Sequence, residues 1–342
     1  MSARGPLVHG AILVVAAALA YRSYSREETS APKTGAAELW GGRPDQIQEV
    51  RFEYKNGSLR LEPRQDTHGR YFVGTVVKTP EPPKAPAPAG SAEPPAPPPP
   101  AAPKTSHFIS TKDGEDLVAT LAPLQAMRVL GKVEDAQRGD FGLDIDEGKL
   151  FVRIGGQERG IAFGGATPGG TDRYATDPTS GNAYVVSGAI FRDLTSADQR
   201  LIEHRLHGFE DTAPRRVKVT VGEASRELVR TPDRKDSWSR PETPAEKDET
   251  VTNWLSKLDR LRTTTYLAEK PEPPIAPTDV VVRVDYSDER KPIGFVEIVR
   301  RPPLTGDKPE YAIRTELTRW YADIVRSAGE QLDQDAKSLV GP

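Results

Sequence analysis

From Phe141 to Leu194 the chain is a succession of short alternating runs broken by glycine, and this punctuation constrains the fold more than any other feature. Leu150–Ile154, Gly160–Phe163, Arg173–Thr176 and Ala183–Val186 read as four short strands. Between them fall Gly155-Gly156, Pro168-Gly169-Gly170 and Ser180-Gly181, turn residues that let the chain reverse at little steric cost. Connections this short make the strands antiparallel neighbours. Gly188–Leu194, carrying Ile190, Phe191 and Leu194, closes the block as a short helix.

The flanks follow a second pattern, and it occurs twice. Ile47, Val50, Phe52 and Tyr54 lead into Asn56-Gly57, after which Leu59 and Leu61 alternate, a strong hairpin signal over Asp45–Glu62. Tyr71–Val77 supplies a third strand. The spacing of Leu117, Leu121, Leu124, Met127 and Leu130 predicts a helix over Ser110–Leu130, kinked at Pro123. Residues 215–230 repeat the hairpin, and Trp238 takes the place of Tyr71. Val251, Trp254, Leu255, Leu258 and Leu261 then predict a matching helix, its start marked by a capping box at Thr243-Pro244-Ala245-Glu246. The central sheet is echoed by VVVRVDY at 280–286, IGFVEIVRR at 293–301 and EYAIRT at 310–315, one strand short, with Trp320, Ile324 and Val325 on a terminal helix.

The expected fold class is α+β: duplicated units of antiparallel sheet with packed helices, preceded by one N-terminal transmembrane helix. In chain order this gives a membrane anchor or signal at 1–22 and a linker at 23–38. A first helix-bearing unit spans 39–133, with a proline-rich insertion at 79–104, and a first sheet unit spans 134–208. A second helix-bearing unit follows at 209–270 and a second sheet unit at 275–342. The insertion holds twelve prolines, which remove amide donors and favour extended polyproline II, so it neither joins a sheet nor packs a core.

Gly5–Tyr21 is uncharged and bracketed by Arg4 and Arg22, with a wholly apolar centre at Ala11–Ala20. Its length suits either a short membrane span or a secretory signal, and Ala18-Leu19-Ala20 resembles a cleavage site. The reading adopted is an uncleaved anchor at residues 5–21 with the following chain outside the cytoplasm, on the periplasmic side of the inner membrane. His9 within it is an interfacial residue.

Composition narrows the chemistry. Lysine plus arginine (47) nearly balance aspartate plus glutamate (50), and the signs are interleaved, so no basic stripe for nucleic acid forms. Absence of cysteine excludes disulfides, thiolate catalysis and cysteine zinc sites. The glycine cluster at 164–170 lacks the lysine and the helix start of a phosphate loop, and reads as a wide turn. His204 and His207, three apart in EHRLHGFED, could share a helix face and ligate zinc, but no helical pattern surrounds them and no His-Glu-x-x-His is present. Asp144 and Asp146 fall in an expected turn, without a cleft to separate their pKa values. No Gly-x-Ser-x-Gly elbow occurs. Asp172-Arg173-Tyr174, polar and aromatic beside a turn, is the first place to seek a contact surface.

Phe141-Gly142-Leu143-Asp144, the later glycine turns, Arg173-Tyr174-Ala175, Ala183-Tyr184-Val185-Val186, Arg205-Leu206 to Phe209, and Leu228-Val229-Arg230 followed by Trp238 and Pro241 together resemble the domain-of-unknown-function 4340 family. The resemblance covers roughly Trp40 to Leu267, and the proline-rich insertion and Ser239-Arg240 depart from it. It implies a membrane-anchored extracytoplasmic protein associated with ABC-type transport systems of the gliding-motility kind, with no established catalytic residues. The expected function is therefore a non-enzymatic accessory or interaction protein with membrane or envelope partners. The alternative is a solute- or polymer-binding protein with a cleft between repeated units. No catalytic, cofactor-binding or metal-ligating residue is assigned, and no cofactor is expected.

Overall fold

A computed structural model describes residues 37–80, 102–232, 234, 236–303 and 306–340. The expected anchor, most of the linker after it and the proline-rich stretch from 81 to 101 lie outside these residues. Among the described residues no helix is long and apolar enough to cross a membrane.

β1 (Ala37–Trp40) leads into β2 (Ile47–Tyr54) and β3 (Gly57–Asp66), which pair antiparallel across a turn at Lys55-Asn56, one residue earlier than the expected Asn56-Gly57, with Val50 opposite Leu61 and Phe52 opposite Leu59. β4 (Gly69–Lys78) pairs along the whole of β3, and β5 (Lys104–Ser110) pairs along β4 from Lys78↔Lys104 to Phe72↔Ser110. The proline-rich run is thus strung between directly opposed residues of neighbouring strands.

α1 (Lys112–Leu121) is shorter than its apolar spacing predicts. Pro123 has no amide to donate and biases its predecessor away from helix, and Ala122 sits at φ −142, ψ 94. The rest of the expected helix is extended: β6 (Leu124–Ala126) pairs with β1, and β7 (Arg128–Lys132) goes to a sheet edge. Met127, expected on the buried face, is 53% exposed.

β8 (Gly148–Ile154), β9 (Gln157–Ala166), β10 (Arg173–Thr176) and β11 (Asn182–Val186) follow, then α2 (Gly188–Thr195), capped by Ser187, and the short α3 (Ala197–Arg200). The strands of both expected units form one nine-stranded antiparallel sheet, β5-β4-β3-β2-β8-β9-β10-β11-β7, joined where β2 pairs with β8.

The second half comprises β12 (Arg216–Val221), β13 (Ala224–Arg230), β14 (Trp238–Ser239), α4 (Glu249–Asp259), β15 (Val280–Ser287), β16 (Pro292–Arg301), β17 (Glu310–Thr315), β18 (Ala322–Asp323) and α5 (Arg326–Ala336). Its sheet runs β14-β13-β12-β15-β16-β17-β18, the same order as β4-β3-β2-β8-β9-β10-β11 in the first. A fourth strand, β18, is present where the sequence shows none, because two residues carry no readable alternation. The terminal helix begins at Arg326, after Trp320, Ile324 and Val325.

Each sheet has its own core. Phe52, Phe72, Phe108 and Phe163 fill the first, while Trp254, Leu255, Val284 and Ile298 belong to the second. Trp254 also donates its indole N–H to Leu332 O at 3.0 Å, fixing α4 against α5. Tyr266 and Ala322, from the second half, belong to the first core. Burial of one such aromatic or leucine side chain contributes about 1.5–3 kcal/mol. Arg319 reinforces the junction: its guanidinium donates to Asp66 Oδ2 (2.8 Å) and Oδ1 (3.1 Å) and lies 4.2 Å from the Tyr71 ring centroid.

Candidate functional site

The connector from α3 to β12 carries both histidines, and none of residues 201–209 is helical. Their three-residue spacing therefore does not place them on one face. His204 Nδ1 meets Thr263 O at 2.8 Å, while His207 turns inward to Glu316, with Nδ1 3.0 Å from Oε1 and 3.3 Å from Oε2. Among the described residues no group of three ligands could hold a metal ion.

Glu316 is 5% exposed, and its carboxylate also accepts from the amides of Phe295 (3.0 Å) and Gly208 (3.4 Å). An ionised carboxylate only accepts, so this pairing puts a proton on Nδ1, and in the neutral ring Nε2 carries a lone pair. Nε2 is buried, and no described group bonds to it. Phe209 stacks on the imidazole at 4.4 Å, and Tyr286 meets it edge-on at 4.8 Å. Tyr286 Oη is likewise buried with no partner among the described residues. Its desolvation, reinforced by the charges of Asp259 and Glu316, raises the phenol pKa far above its ordinary value and keeps it a neutral hydroxyl.

His207, Phe209 and Tyr286 line a cavity of about 440 Å³ together with Arg230, Trp238 and Asp259. The β-sheet supplies Tyr286 and Arg230, and α4 supplies Asp259 from its last residue. Arg230 lies over the Trp238 ring at 4.6 Å and donates to the carbonyls of Pro214 and Asp211, both at 2.7 Å. Solvent reaches Asp259, yet the protein crowding its carboxyl pushes its pKa up to about 6. Nearby Arg230, and His207 in its protonated form, oppose the rise, and Asp211 adds to it.

A histidine oriented by a carboxylate is a competent proton acceptor only when the reacting group lies within hydrogen-bond reach. Ser256 lines the same cavity, but no hydrogen bond joins it to His207 Nε2, so the pair has no aligned nucleophile. What the arrangement offers is a concave wall with unused hydrogen-bonding capacity.

The other candidates serve the fold. Arg173 stacks over Phe191 at 4.1 Å, Tyr174 packs edge-on to Phe141 at 4.9 Å, and Asp172 Oδ1 accepts from Gly188 N at 3.3 Å. Asp146 pairs with Lys149 at 2.9 Å on the surface.

With this geometry in view, one comparison bears on kinship. The model of the domain of unknown function DUF4340 matches residues 112–278. The match supports a DUF4340 family member. No curated protein and no solved structure matches the chain. The DUF4340 segment opens at α1, ends just before β15, and contains His207, Arg230, Trp238 and Asp259. Tyr286 lies beyond it, so β15, which follows the matched segment, completes the cavity lining, and Glu316, which holds His207, also lies beyond it.

Sequence reasoning weighed His207 only as a zinc ligand beside His204 and assigned it no role, and it missed Glu316, Tyr286 and Asp259. Glu316 is 109 residues away, and no local spacing links the two. The readable signal was Phe209 amid the polar run EHRLHGFED, a bulky side chain that a wholly solvated connector does not need.

Proposed function

We propose that this chain is a non-enzymatic extracytoplasmic binding protein held at the membrane by residues 5–21, and that it serves as an accessory of an ABC-type transport or envelope complex. In this reading the two sheets are duplicated units, and the second has become a ligand site. Their shared strand order supports the duplication. The observation that carries the binding role is the pair of buried, unpartnered atoms, His207 Nε2 and Tyr286 Oη, on residues that line one cavity. A buried polar atom left without a partner costs about 1–3 kcal/mol, which a bound molecule can recover. The missing nucleophile argues against hydrolysis. The uncharged run Gly5–Tyr21 supports the membrane setting.

Two measurements test the two halves of this reading. Affinity purification of the full chain from detergent-solubilised membranes is expected to recover membrane or envelope proteins, and recovery of none would remove the accessory role. A thermal-shift screen of small envelope solutes is expected to find at least one that raises Tm, with the shift abolished by Tyr286→Phe. A screen without any shift would sink the binding role.

A further inference from the structure

We infer that the cavity beneath His207 takes a small, ammonium-bearing ligand, an inference that rests on the binding role proposed above. The first ground is hydrogen-bond polarity. His207 presents a lone pair at Nε2, and Asp259 presents a carboxylate that no donor pairs with among the described residues. Asp211 and Asp236 add two more carboxylates to the lining. Two guanidiniums face these three carboxylates: Arg260 follows α4 at the rim, and Arg230 already serves the carbonyls of Pro214 and Asp211 and is covered by Trp238. Three carboxylates against two guanidiniums leave the lining net acidic, and its complement is a cation.

The second ground is the field of α4. This eleven-residue helix ends at the cavity with Asp259 as its last residue. Its C-terminal carbonyls carry partial negative charge; Leu261 N and the Arg262 guanidinium take up part of it at Leu258 O and Asp259 O, and what is left favours a cation and disfavours a phosphate or carboxylate. The third ground is aromatic. Phe209, His207 and Tyr286 form one aromatic cluster along the lining, and the faces of the Phe209 and Tyr286 rings attract an ammonium group by cation–π interaction. Tyr286, only 4% exposed and with its hydroxyl unpartnered, is the independent sign of a ligand position that an acidic cluster alone would not give. A volume of about 440 Å³ exceeds what a few waters fill and lies within the range of small-molecule sites.

Isothermal titration of the full-length protein at neutral pH with cadaverine, a straight-chain diamine, tests the assignment against the diol and the dicarboxylate of the same chain length. Binding of the diamine alone is expected, weakened at least tenfold by Asp259→Asn and several-fold by Tyr286→Phe. Lys257→Ala, which changes the α4 residue paired with Asp335, is expected to leave it unchanged. Should Asp259→Asn fail to fold by circular dichroism, Asp236→Asn gives the same comparison. Equal or tighter binding of the diol or the dicarboxylate would overturn the cationic class while leaving the binding role standing. No diamine binding, or binding indifferent to both cavity substitutions, would overturn the inference outright, and the solute screen would then decide the binding role separately.

Discussion

Asp259 shows how a side chain that looks solvated in sequence becomes costly in place. Crowding raises its pKa to about 6, above the ordinary aspartate value of 3.8, so ionisation disfavours the folded state. The penalty is fully present above the folded pKa and fades as pH falls through about 6 towards the unfolded value. Asp259→Asn is therefore expected to raise Tm at pH 8 and leave it nearly unchanged at pH 4. The rise should be at most a few degrees, since solvent at the cavity rim screens the charge. Paired melting curves at the two pH values check this, and an equal shift at both would refute the assignment. Little of this could be read from the sequence. His207 stood out because histidine is scarce, whereas Asp259, Tyr286 and Glu316 are unremarkable in their own surroundings and gain meaning only when four separate segments converge. Arg173, singled out with its neighbours as a place to seek a contact surface, has its guanidinium 4.1 Å over the Phe191 ring.

Elements were far more legible, because hairpins are written locally. Asn56-Gly57 announces the β2–β3 hairpin, though the turn itself falls one residue earlier at Lys55-Asn56, and the alternation on both sides fixes which face is buried. The failures lie where two local signals compete. Thr243-Pro244-Ala245-Glu246 has the spelling of a helix start, but it forms a turn in which Glu246 N donates to Thr243 O at 2.9 Å. The helix begins after Asp248, whose Oδ1 accepts from Val251 N at 3.1 Å while its own amide donates to Trp238 O at 2.8 Å. Tertiary anchoring to β14 decides between the two caps. Asp248→Ala is expected to cost about 1–2 kcal/mol in urea denaturation, since the cap is lost and Arg226 loses the carboxylate 3.5 Å away. Asp248→Ser should restore the capping part alone, and a neutral Asp248→Ala would show that the anchoring to Trp238 suffices. Similarly, leucines at 117, 121 and 124 suit a helix as well as a helix followed by a strand, and Pro123 settled the matter.

At the scale of the whole molecule, the two sheets are held together by contacts that no repeat predicts. Arg319 adopts φ 59 and is 8% exposed on its side chain, so a strained backbone presents a guanidinium to Asp66 of the other sheet. Burial pushes the Asp66 pKa up, but hydrogen bonds from Arg319 and the His68 amide outweigh it and hold the carboxyl below its ordinary range. This contribution is present above the unfolded pKa and is lost as pH falls through the folded one. Arg319→Ala is expected to destabilise by roughly 2 kcal/mol at pH 7, discounted from a fully buried pair because Asp66 is partly open. Arg319→Gly should cost on the order of 1 kcal/mol less, since glycine accepts positive φ. Chemical denaturation of both variants measures the difference, and a glycine variant no better than alanine would show that the backbone carries no strain there. The pairing of Lys78 with Lys104 has a different reach. Strand register is already set by ten residues of β4 against β3, so the twenty-five residues from 79 to 103 contribute nothing to alignment. Exchanging them for Asn-Gly should give a protein that melts at the same temperature or slightly higher, because shortening a loop lowers its closure entropy. The hairpin is in effect an open port, a place where foreign sequence of nearly any length can be carried without the scaffold registering the change.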